Sequence, residues 1–163
     1  MLEGMKRTFK YVDGDCAPGQ LIEAKEDHIG ELSPAKQRAE RAIREGDPRG
    51  SLRASAIYVF EDRAVAEALL HHTPGQHLYE MEVDDADILH RADLRIYDEI
   101  VDALARGRPT QALVKEFWSG TERPHPRIEL AVSKARVVRK MVDKHDKPTA
   151  RGRPSSGTDV PVA

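Results

Sequence analysis

Cysteine is nearly missing from this chain. The 163 residues include one, Cys16, so no disulfide can form within the chain and a cysteine-only metal site is excluded. Cys16 itself lies in a turn-like stretch beside Asp15, where a neighbouring carboxylate works against the thiolate that a nucleophile needs. Aromatic residues are scarce too, at 5%. No apolar run approaches the ~18 residues that cross a bilayer, and the first residues lack the apolar core of a secretory signal. A cytoplasmic protein with no membrane partner is expected. The formal net charge is −2, too near neutrality for the whole molecule to attract nucleic acid. Gly-x-Gly-x-x-Gly and Gly-x-x-x-x-Gly-Lys are both absent, which argues against the Rossmann and P-loop routes to a nucleotide.

Metal chemistry finds little support. None of the seven histidines stands four residues from another, and none falls in a Cys-His ligand spacing. His71 and His72 read as the end of a helix, where imidazole meets the C-terminal dipole. Asp84-Asp85-Ala86-Asp87 resembles a scrap of a calcium loop, but lacks its central glycine and closing glutamate. No metal is expected.

What is present is a charged, periodic chain. Apolar residues make up 39% and charged ones 33%, the mark of a modest core under a heavily solvated exterior. Residues 1–142 read as one domain and 143–163 as a flexible polar tail, without periodicity. Alternation of Phe9 and Tyr11 with Thr8 and Lys10 predicts a strand over 6–12, and a short one follows at 20–24. Ser33-Pro34 opens a helix that Gly46 closes. Its apolar stripe is thin, which predicts a surface position. Residues 47–52 form a loop, Ile57-Tyr58-Val59-Phe60 a buried strand, and Asp62 caps a helix carrying Val65, Ala66, Leu69 and Leu70. A strand over 77–83, helices over 93–105 and 110–118, and a closing pair of strands over 127–132 and 136–141 complete the chain, with Ser133-Lys134 near the turn. The pattern predicts an α+β fold: a split, mostly antiparallel sheet with flanking helices.

Two regions carry chemistry. Arg53 stands at the mouth of the Ile57–Phe60 strand, followed by Ser55. A planar two-pronged donor there suits a pyrophosphate or a carboxylate, and equally a surface salt bridge. The second is Glu129, which faces away from Ile128, Leu130 and Val132 on the same strand. A carboxylate there is costly unless it meets a cleft, a partner or open solvent, and pairing with Arg127 or a lysine on a wet face is the plain alternative.

The layout resembles the ADP-ribosyltransferase fold family, in the compact bacterial form similar to rifampin ADP-ribosyltransferase. The resemblance covers most of residues 9–141. It is carried by Phe9-Lys10-Tyr11, Pro18-Gly19-Gln20-Leu21-Ile22, the run Ile57-Tyr58-Val59-Phe60-Glu61-Asp62, Leu78-Tyr79-Glu80-Met81-Glu82-Val83, and Trp118-Ser119-Gly120 ahead of Glu129-Leu130. It implies an NAD-consuming, toxin-like transferase whose Glu129 stabilises the oxocarbenium-like cation formed as nicotinamide leaves. It further implies NAD contacts from Tyr11, Arg53, Ser55, Tyr58 and Trp118, with Arg53 on the pyrophosphate and the tyrosines on the nicotinamide ring. NAD is then substrate and partner, and the acceptor, whether protein, nucleic acid or small molecule, is unassigned. The alternatives are a non-catalytic binding module on the same sheet, or an RNA-directed protein using Arg49, Arg53, Arg136 and Arg139.

Overall fold

The computed structural model describes residues 4–69 and 75–141. Leu70, His71 and His72 and the 143–163 tail fall outside them. The elements run β1 (Met5–Asp13), β2 (Leu21–Glu23), α1 (Pro34–Glu45), β3 (Ile57–Phe60), α2 (Arg63–Ala68), β4 (Gln76–Asp84), β5 (Ile88–Asp93), α3 (Leu94–Ala105), α4 (Gln111–Ser119), β6 (Ile128–Val132) and β7 (Lys134–Lys140). Short 3-10 turns cover His28–Glu31, Pro48–Ser55 and Asp85–Asp87. Among the described residues no helix is long and apolar enough to cross a membrane.

The fold is α+β. One sheet runs in the order β2-β7-β4-β1-β3-β6-β5 with every neighbouring pair antiparallel. Its two halves are joined thinly. β1 pairs with β4 along its whole length, but meets β3 at one residue pair, Phe9 with Phe60. The halves share one apolar cluster: Ile57, Val59, Ile128, Leu130 and Val132 from one side pack with Tyr79, Met81, Val83, Ala135 and Val137 from the other. Alternation along β3 and β6 puts these residues on one face, and Cys16 packs at the cluster's margin.

The expected hairpin between the last two strands is not formed. β6 pairs with β3 and β5, whereas β7 pairs with β4 and β2. Only Ser133 separates them, one residue too few for a two-residue hairpin turn. Ser133 is pinned instead to Asp87, through its N–H to the backbone oxygen at 2.9 Å and its hydroxyl to Oδ1 at 2.9 Å. A single run of backbone therefore serves both halves of the sheet.

The opposite face of β3 and β6 meets the helices. Ala39 and Ile43 of α1, Ile96, Tyr97 and Ile100 of α3, and Val114, Phe117 and Trp118 of α4 form a second cluster over Ala92 of β5. Helix α1 is therefore not superficial. Its small residues let it approach closely, and Ala39, Glu40 and Ile43 are all fully buried. Ser33 caps it by accepting from Lys36 N–H. The 47–52 segment, expected as plain loop, is wound into 3-10 turns from Pro48. Strand β5 carries no strong sequence signal, because its pairing shifts between Ile88 and His90 and breaks the alternation.

Candidate functional site

Glu129 pairs across the sheet with Phe60 on one side and Ala92 on the other, so its side chain points to the helix-covered face. Helices α1 and α3 do not close over it completely. They leave a cleft of about 270 Å³, floored by Tyr58, Phe60, Arg127 and Glu129 from β3 and the entry to β6. His28, Lys36 and Glu40 wall it on one side, Leu94, Tyr97 and Asp98 on the other, with Arg53 and Leu69 also in the lining.

Beneath the cleft lies a buried ion pair. Arg53 gives Nε–H to Glu40 Oε1 at 2.6 Å and Nη2–H to Oε2 at 3.1 Å. Its guanidinium lies 4.8 Å from the centre of the Tyr58 ring and 5.2 Å from that of Phe117. Glu40 also accepts from Arg44 Nε at 3.1 Å, and Arg44 clamps Asp27 with two further bonds. Two bonds between the charges and a third from Arg44 supply the compensation that burying an ion pair requires. The pairing also means that the Arg53 fork is engaged by Glu40, not open to a pyrophosphate. The Tyr58 hydroxyl donates to Arg53 O at 2.9 Å, and the His28 ring sits 4.4 Å from the Tyr58 ring. No hydrogen bond reaches the buried His28 Nδ1 within the described structure. Burial lowers the pKa of this imidazole, with Glu40 pulling it back up and Arg53 adding to the lowering.

Glu129 itself makes no hydrogen bond or ion pair among the described residues, and its side chain is half-buried. Burial pushes its carboxyl up to about 7, with Arg53 and Lys10 pulling it down and Glu40 adding to the rise. Lys10 reaches in from β1, where the two sheet halves barely touch, and donates to Tyr58 O at 3.1 Å. Burial lowers its pKa and Glu129 raises it. The site therefore holds a carboxylate with positive charges around it but none in contact.

No protein-family model matches this chain. Nor does a search of curated proteins find a significant match. The assignment must come from geometry.

Of the residues singled out in the sequence, Glu129, Arg53 and Tyr58 come together in the cleft. The other three do not line it. Trp118 is buried in the helical cluster, where its indole N–H donates to Ile43 O at 2.8 Å and its ring packs on His90 at 4.6 Å. Tyr11 packs with Phe9 and Phe60 around Ala66 and Leu78. Ser55 is exposed at the end of the Pro48–Ser55 turns. The RNA-directed arginines are scattered. Arg49 pairs with Asp47, Arg139 with Glu80, and Arg136 donates to Gly19 O.

Sequence reasoning missed His28, Lys36, Glu40, Tyr97 and Asp98. Glu40 left a signal: it stands beside Ala39 and three residues before Ile43, on the stripe a helix buries. His28 and Asp98 left none, since only the chain's path brings them to the cleft.

Proposed function

We propose that this protein cleaves NAD at the bond between nicotinamide and ribose and transfers the ADP-ribosyl group, with Glu129 as the catalytic carboxylate. One observation carries the reading: a half-buried carboxylate without a partner among the described residues, at the floor of a cleft with an aromatic wall. Resting carboxylates normally hold a hydrogen bond or a counter-ion. A site that withholds both keeps the charge for something that arrives. In the reaction the C–N bond breaks, its electron pair leaves with nicotinamide, and the ribosyl carbon becomes cationic. A fixed anion stabilises that developing charge more strongly than the ground state, which is what lowers a barrier. An acceptor nucleophile or water then bonds to the cation and loses a proton.

The neighbours support this division of labour. Tyr58 and Phe60 offer the flat apolar surface that a nicotinamide ring fits. Arg53 and Glu40 fix Tyr58 from below through the Tyr58–Arg53 hydrogen bond and the ring contact. Only ionised Glu129 can do the work, so the rate rises with pH through about 7, the value to which burial pushes this group.

Nicotinamide release from NAD tests the proposal. Release is expected from the wild-type protein, with Glu129→Gln slowing it by at least ~100-fold while NAD still protects both proteins against heat. A wild-type protein that neither releases nicotinamide at pH 8 nor gains heat stability from NAD would sink the reading. Heat protection without release would favour the non-catalytic binding module.

A further inference from the structure

A second hollow, about 580 Å³, adjoins the cleft and shares Arg127 with it. It lies between α2 and residues 125–128, with Arg95 of α3 in its lining. Its acids are already committed. Glu61 is held by Arg91 Nε at 2.9 Å and lies 3.7 Å from Lys6 Nζ, and Asp62 accepts from Ala64 N–H at 2.8 Å as the cap of α2. Its cations are not. Arg95 gives Nε–H to His125 O at 2.5 Å, and no hydrogen bond or ion pair among the described residues takes its two amino groups. The Arg127 guanidinium has no such partner at all; only its backbone N–H is engaged, by Asp93 Oδ1 at 3.0 Å.

From this we infer that the second hollow is a phosphate-binding site, with Arg95 and Arg127 as its donors. Two forks arrive from different elements, α3 and the entry to β6. A phosphate presents three oxygens in three directions and can accept from both, whereas a planar carboxylate matches one fork. In the cleft over Glu129 the Arg53 fork is already taken by Glu40. Arg127 stands at the divide, so a phosphate held there lies beside whatever reacts above Glu129. Phosphate of two origins fits the place: the pyrophosphate of the donor itself, or a phosphate on the second substrate. The use of the hollow in group transfer rests on the NAD reading; phosphate binding does not.

The test follows the arginine Nε–H resonances of the full chain while inorganic phosphate is added at constant ionic strength, with acetate as the control. The expected result is a saturable shift confined to Arg95 and Arg127, weak or absent with acetate, and at least tenfold weaker binding in Arg127→Gln. A linear shift spread over exposed arginines such as Arg41 and Arg108 would overturn the inference, whether or not the variant folds. Repeating the titration on Glu129→Gln saturated with NAD separates the sources. Loss of phosphate binding there assigns the hollow to the donor's pyrophosphate, and retained binding assigns it to the second substrate. Nicotinamide release measured on the same wild-type sample keeps the two ideas apart. Release without phosphate binding defeats this inference alone, and phosphate binding without release upholds the site while the NAD reading fails.

Discussion

Ionising Glu129 costs the folded protein stability. Its carboxyl ionises at about 7 in the fold, against 4.5 for the free side chain. Between those values the native state holds a proton that the unfolded chain has released, so stability falls as pH rises. The loss is complete above the folded value and absent below the unfolded one. Glu129→Gln therefore stabilises the protein at pH 8, by about 1–3 kcal/mol after allowance for solvent reaching the cleft. The advantage disappears by pH 4, which urea denaturation at the two pH values checks. The catalytic role proposed for Glu129 predicts this trade-off between function and stability; a glutamate kept for structure would give the opposite sign. At this scale the sequence was informative about Glu129, because the alternation of Ile128, Leu130 and Val132 forces it to the other face. It was uninformative about Arg53, whose partner Glu40 lies 13 residues away on a helix that the thin apolar stripe had placed at the surface.

At the scale of elements, Asp93 ties the site together. The residue is 1% exposed, yet its carboxylate accepts three backbone N–H bonds: Arg95 at 2.9 Å, Arg123 at 2.8 Å and Arg127 at 3.0 Å. The first caps α3; the other two hold the segment that delivers Arg127 and β6. Removing the carboxylate leaves three donors without it in a buried place. Asp93→Ala is expected to cost about 2–4 kcal/mol and to speed amide exchange at Arg127. Asp93→Asn keeps one acceptor oxygen and should cost less. Exchange at Arg127 unchanged in Asp93→Ala would show that the segment is held by other contacts. The sequence marked Asp93 as the start of a helix, since Ile96, Ile100 and Leu104 recur at helical spacing behind it. It gave no hint of the two longer bonds, which depend on residues 30 and 34 positions away.

Across the whole molecule, the shared cluster decides whether the two halves of the sheet unfold together. Leu130 is fully buried at its centre, and truncation to alanine is expected to cost about 2–5 kcal/mol. Trp118, the one tryptophan, sits in the separate helical cluster. Its fluorescence and the far-ultraviolet circular dichroism should report a single coincident transition in Leu130→Ala. Two separated transitions would mean that the halves are independent. The amino-acid order by itself determined the α+β class, most of the helices and strands, and the face on which Glu129 emerges. All of these follow from local periodicity and caps, which a chain carries wherever it goes. Tertiary structure alone decided that β6 runs on into β7 without a hairpin, that α1 is buried, and that Arg53 is spent on Glu40 while the Arg127 side chain finds no partner among the described residues. Those outcomes depend on which distant segments meet, and electrostatic pairing between them has no period that a sequence could display.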